Sequence, residues 1–423
     1  MPIVQPNLAH HSVDGTVSMR EAVLLSFCDP LPETCSRLWQ LSRKDWQQLL
    51  TWLDTSGLAL YFLERVTQLE LCELFQPEIL LRLRRNLAEN TEKTEDLIAE
   101  SAAIHRSFQN AELSYATLKG FSLWPSSVPK PELRSQLDLD FLISEKSAPA
   151  ARRILEERGY RLRAVSGRSW EFKTDGVRHT SVQDIYKVVP NRSVELHLES
   201  EEAGGRSLLC RTEKLHFRGV CMPVLPRADL FLGQGLHLFK HVCSEFFRTA
   251  HLIEFRRHVI ARRYDHAFWN ELRSLAEQNR LAPIALGVIT LLITRVMGEF
   301  APEALTSWTV DRLPAAARLW VDLYGRHSVL ASFPGSKLYL FLHRELQLFG
   351  APAQRSLRRV LLPLRLPPAI THGTADEHLQ ARLRRYRAEL HYLTFRMRFH
   401  TVEGLRYLRE SIRWQQHLNG LAS

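Results

Sequence analysis

Asp138-Leu139-Asp140-Phe141-Leu142-Ile143, with Arg134 and Leu118-Lys119-Gly120 before it, is the stretch that decides the fold. Alternate residues of a strand share a face, so Asp138 and Asp140 project together while Leu137, Leu139 and Phe141 are expected to enter a core. Two carboxylates held this close repel unless a cation lies between them. Mg²⁺ is commonly held by one or two carboxylates together with substrate phosphates, so the pair points to metal-assisted phosphoryl chemistry. An Asp-x-Asp by itself is weak evidence, because exposed strand faces are often acidic.

Ser193-Val194-Glu195-Leu196-His197-Leu198 alternates in the same way and sets Glu195 and His197 opposite Val194, Leu196 and Leu198. Glu195 is the third carboxylate. Tyr115 to Leu118 reads as a short strand that delivers Lys119 and Gly120 to a turn. Lys and Arg are ordinarily surface cations, but Lys119 stands beside the glycine turn and Arg134 four residues before Asp138, as phosphate contacts would. Arg134 offers a planar fork and Lys119 a point charge. His197 shares a face with Glu195; orienting Glu195 suits it better than ligation, since Mg²⁺ prefers oxygen.

This constellation resembles the DNA polymerase beta-like nucleotidyltransferase superfamily, and more specifically an uncharacterised bacterial family with the pattern Leu-Lys-Gly, Arg-x-x-x-Asp-x-Asp-x-Leu, then an acidic-x-His strand. The resemblance implies that Gly120 holds the triphosphate, that Asp138 and Asp140 hold metal, and that Glu195 completes the metal site and activates an acceptor hydroxyl. The wider superfamily usually has Gly-Gly or Gly-Ser where this chain has Lys119-Gly120, and commonly Asp where it has Glu195.

The chain has 423 residues, 45% hydrophobic and 24% charged, with a formal charge of +10. That is room for two or three ordinary globular domains. A basic surface favours polyanionic partners, whether nucleotides, RNA or an anionic membrane surface. The six cysteines lack Cys-x-x-Cys spacing, and no basic start leads into an apolar signal core; reduced cytoplasmic thiols are the simplest expectation. Leu281 to Thr294 is too short and too interrupted, by Pro283, to span a membrane, and reads as a buried helix.

Residues 1–16 lack periodicity. Helical spacing then runs from Met19 to about Leu113, as in Trp46, Leu49, Leu50 and Leu53. After the Asp138 strand, Ala148 to Arg158 reads as a helix closed by Gly159, with a strand from Tyr160. Asp175-Gly176 predicts a hairpin between Trp170–Phe172 and Arg178–Val182. Beyond Pro226 the pattern is helical, through Asp229 to about Arg263, Asp265 to Glu277 and Leu281 to Glu299, with a later break marked by Pro363, Pro367, Pro368 and Gly373.

His237 and His241 have a spacing that can bind zinc on one helix face, yet no His-Glu-x-x-His pattern supports it, and packing or pocket-lining roles are favoured. Arg355, Arg358, Arg359 and Arg365, then six arginines from Arg382 to Arg398, interleave with Tyr386, Tyr392, Phe395 and Phe399. Such a mixture suits RNA, but the solvated basic face of amphipathic helices explains it better. Neither a Gly-x-Ser-x-Gly elbow nor a Walker-type loop occurs.

The expected architecture is α+β: a mixed-sheet nucleotidyltransferase-like core at residues 114–225 between helical regions at 17–113 and 226–423. The expected reaction moves a nucleoside monophosphate from a nucleoside triphosphate to an acceptor hydroxyl with Mg²⁺ or Mn²⁺, releasing pyrophosphate. The competing readings are a catalytically weak nucleotide-binding regulator and a basic helical module that binds RNA or protein. The acceptor is not legible.

Overall fold

The computed structural model describes residues 15–175, 182–188, 192–199, 207–351, 356–362 and 378–422. The expected loose terminus lies largely outside these residues, as does the proline-marked break. Helices α1 (Gly15–Leu25), α2 (Arg43–Ser56), α3 (Ala59–Gln68) and the long α4 (Pro77–Asn110) lead into the sheet. Local chemistry sets their ends. Ser42 caps α2 by accepting from the Asp45 N–H, Gly57 closes it at φ 76°, and Pro77 starts α4 where its missing N–H costs nothing.

Strands β1 (Tyr115–Leu118), β2 (Asp138–Ser144), β3 (Tyr160–Ser166), β4 (Ser169–Thr174), β5 (Ser193–Glu199), β6 (Glu213–Phe217) and β7 (Val220–Val224) form one mixed sheet in the order β3-β4-β5-β2-β1-β7-β6. Helix α5 (Ala148–Glu157) crosses from β2 to β3. Strand β2 is central, antiparallel to β1 and parallel to β5. Leu139, Phe141 and Ile143 pack with Val194, Leu196 and the α4 residues Leu97, Ile104 and Phe108 on one face. The opposite face is left to Asp138, Asp140, Glu195 and His197.

Two expectations need correcting. Leu137 is 47% exposed rather than in the core, because the ladder of β2 begins only at Asp138. The strand that contains Trp170, β4, is joined to β3 by a tight turn at Gly167-Arg168, and the expected hairpin arm Arg178–Val182 falls almost wholly outside the described residues. Gly167, at φ 59°, supplies the turn; residues 176–181 lie outside the described ones, and β4 finds its other partner in β5. The long helix expected across Asp229 to Arg263 is two helices, α6 (Arg227–Val242) and α7 (Ala250–Ala261).

Helices α8 (His266–Ala276) and α9 (Leu281–Met297) follow. Helix α9 is buried, as its apolar run predicts, and no helix among the described residues is long and apolar enough to cross a membrane. The helices before the sheet and those after it share one apolar core: Leu49, Trp46 and Phe62 belong with Leu286, Trp320 and Phe341. Arg20 donates to the Leu330 carbonyl and Trp52 Nε1 to that of Ala331, across 310 and 279 residues of sequence.

Candidate functional site

Strand register builds the site. Asp140 of β2 stands beside Glu195 of β5 on one side and Leu118 of β1 on the other, so Lys119, the residue after Leu118, emerges next to Asp140. Lys119 Nζ donates to Asp140 Oδ1 at 3.0 Å, and His197 Nε2 lies 3.0 Å from the same oxygen and 3.6 Å from Glu195 Oε2. The ligand atoms of Asp140, Glu195 and His197 all lie within 4.8 Å of one another. Ser169 of β4 donates to Glu195 Oε1 and fixes it from the far side.

Asp140 is buried, and burial alone would raise its pKa. The hydrogen bonds and charges of His197 and Lys119 outweigh that and hold it at about 2. Asp138 sits on the same face outside that cluster of ligand atoms, and burial followed by the charge of Asp140 pushes its carboxyl up. The two aspartates therefore differ: one is locked as a carboxylate and the other holds its proton more readily.

The turn at the end of β1 is strained. Lys119 adopts φ 53° and Gly120 φ 50°, and backbone held in sparsely populated regions clusters at functional sites. Gly120 is buried beneath Gln136: a Cβ there would stand 2.4 Å from Gln136 Nε2. That amide donates to the Asp138 carbonyl. The glycine thus lets Gln136 bridge the turn and the aspartate strand.

Arg134 is more tightly committed than a free phosphate clamp. Its Nε donates to Glu254 of α7 at 3.1 Å, and Tyr61 OH donates to the same oxygen at 3.0 Å. Arg248, just before α7, is half-buried within electrostatic reach of Arg134 and Asp138. Arg134 and Glu254, with Lys119, His197, Gln234 and His237, line a cavity of about 300 Å³ roofed by α6 and α7. Leu118, Leu123, Leu225, Leu230 and Leu238 give it apolar walls. A mostly apolar pocket with a few convergent polar groups is the usual form of a small-molecule site.

His237 and His241 face each other, Nε2 to Nε2, at 3.1 Å. His241 Nδ1 lies 3.2 Å from the Phe246 carbonyl, which can only accept, so this nitrogen carries the proton. In a neutral ring Nε2 then accepts from His237. Burial keeps both rings neutral, with His237 down at about 3. The carboxylates that could complete a zinc site there, Asp229, Glu245 and Glu254, pair instead with Arg211, Arg396 and Arg134. Among the described residues, only Asp140, Glu195 and His197 form a group of three metal-ligating side chains.

The structure therefore brings Lys119, Asp140, Glu195 and His197 together, with Asp138, Gly120 and Arg134 around them. Sequence reasoning missed Gln136, Arg248, Glu254 and Tyr61. Gln136, two residues before Asp138 in the same period, carried a local signal. The others come from distant segments and carried none.

No curated protein matches the chain. A solved structure, an antigenic nucleotidyltransferase-like protein from Paracoccidioides brasiliensis, aligns with 51% of this chain and 98% of its own at 10% identity and a TM-score of 0.30, a superposition too loose to bear on fold or site. The sequence profile of a family described as uncharacterised nucleotidyltransferase matches residues 42–297. That match takes in more than half of the chain and every residue of the site, and on it the chain belongs to this nucleotidyltransferase family.

Proposed function

We propose that the protein is a metal-dependent nucleotidyltransferase that moves a nucleoside monophosphate from a nucleoside triphosphate to an acceptor hydroxyl and releases pyrophosphate. The observation that carries this reading is the convergence of Asp140, Glu195 and His197 beside Lys119 at the edge of a pocket lined by α6 and α7. The donor set fits a divalent ion. It is rich in carboxylate oxygen, and Lys119 and His197 hold Asp140 in the ionised form that a metal requires. Asp140 and Glu195 would hold Mg²⁺ or Mn²⁺, with Asp138 adjacent. Such an ion, when bound, neutralises the phosphates and favours in-line attack.

The chain's own residues do the rest. Glu195 orients the acceptor hydroxyl and takes its proton as the oxygen bonds to the α-phosphorus and the bond to pyrophosphate breaks. Ser169 and His197 fix Glu195 from two sides. Lys119, partly exposed at the cavity, places positive charge against the phosphates. Arg134 adds to that charge while Glu254 holds its guanidinium in the cavity wall. Helices α6 and α7 wall the cavity opposite the β1 turn.

The test is incubation with α-labelled nucleoside triphosphates and a cell extract, with and without Mn²⁺ or Mg²⁺, scored by labelled product and pyrophosphate release. Metal-dependent label transfer that disappears in Asp140→Asn supports the reading. Transfer at the wild-type rate in that variant would refute it.

A further inference from the structure

The last helix, Leu379–Ala422, is 44 residues long and has two distinct faces. One is buried: His400, Glu403, Tyr407, Glu410 and Trp414 recur at three- and four-residue spacing and dock on the body. Tyr407 and Trp414 stack on Phe341, and Glu403 accepts from the Lys337 backbone N–H. The other faces out. Leu383, Leu390, Met397, Leu405, Leu408 and Ile412 follow one another at helical spacing, and each is 59 to 72% exposed. Contiguous apolar surface of this kind marks an interaction site.

We infer that this outward stripe is an interfacial anchor that lays the helix into an anionic membrane surface. Charge selects the occupant. The helix has nine arginines and three glutamates, and two of the glutamates, Glu403 and Glu410, are on the buried face. Arg384, Arg387 and Arg398 are exposed along one flank of the stripe. A helix with leucines on one side and arginines beside them fits the boundary between headgroups and acyl chains. A second copy laid on the same stripe would set arginine rows against each other without acidic partners. Nucleic acid would satisfy the arginines and could stack on exposed Tyr386 and Phe395, but it would leave the aliphatic stripe uncovered.

The test uses the full chain and vesicles of phosphatidylcholine with and without phosphatidylglycerol, read by co-sedimentation at low and high salt. Binding is expected only with phosphatidylglycerol and should weaken as salt rises. Leu390→Gln/Met397→Gln/Leu405→Gln should lose at least about tenfold in partitioning, and Arg387→Ala/Arg398→Ala about fivefold for each arginine removed. All five side chains are exposed, so both variants should fold; circular dichroism checks this. Equal binding to both vesicle types, or an unchanged triple variant, would overturn the inference. So would light scattering that shows a dimer lost in the triple variant, or RNA bound equally by wild type and triple variant in the absence of vesicle binding.

Discussion

Replacing Asp140 by asparagine tests whether the site is held together by charge. The wild-type carboxylate takes hydrogen bonds from Lys119 and His197, and its pKa falls from 3.8 to about 2. At about 1.4 kcal/mol per unit, that shift corresponds to about 2 kcal/mol of folded-state stability. A depressed carboxylate pKa contributes stability above the unfolded value and loses it as pH falls through the folded one. Asp140→Asn should therefore be about 2 kcal/mol less stable than wild type at pH 7, and the gap should close between pH 4 and pH 2. Asp138→Asn should go the other way: burial and Asp140 push its carboxyl up, so removing its charge leaves neutral-pH stability unchanged or raises it. Urea unfolding of the wild type and both variants, followed by tryptophan fluorescence over this pH range, measures each difference. An Asp140→Asn protein as stable as wild type at pH 7, or a gap independent of pH, would refute the reasoning.

Three other outcomes are expected. Glu195→Gln should keep much of the triphosphate affinity and lose single-turnover transfer by 10²-fold or more, on the scale of a lost general base; Lys119→Ala should show the reverse emphasis, and calorimetry beside rapid-quench kinetics separates them. Arg134→Ala should cost roughly 3–5 kcal/mol in denaturant unfolding, because it strands buried Glu254, and Glu254→Gln in the same chain should recover part of the loss. Gly120→Ala should destabilise by roughly 1–3 kcal/mol, from a Cβ driven into Gln136 at positive φ, and thermal unfolding of Gly120→Ala beside Gly120→Ala/Gln136→Ala should show partial relief.

The α+β class and the strands that carry the site were legible because their signals are local. Period-2 alternation in Asp138–Ile143 and Ser193–Leu198 survives in β2 and β5, and register alone then brings Asp140 and Glu195 together. The β6–β7 hairpin was not legible, since Pro223 inside Val220–Val224 speaks against a strand. Its sharp turn at Arg218 and Gly219, both at positive φ, was the signal available. The roof of the pocket was unreadable for another reason. Arg134 meets Glu254 across 120 residues and Tyr61 meets Glu254 across 193, and no local pattern encodes contacts of that span. Gly120 shows the mixed case: the turn was visible, but the glycine's close approach to Gln136 depends on packing that only the fold reveals.

The core shared between the first and last helices has a consequence for a chain made from its N-terminus. Arg20 and Trp52 end on the carbonyls of Leu330 and Ala331, so α1 and α2 cannot finish burying their apolar faces until residues beyond 330 have left the ribosome. At roughly 5–20 residues per second, that wait is on the order of 15–60 seconds. Throughout it Arg20 and Trp52 lack the carbonyls they end on, and the nascent chain presents the open apolar faces of α1 and α2 to whatever chaperone or aggregate it meets first.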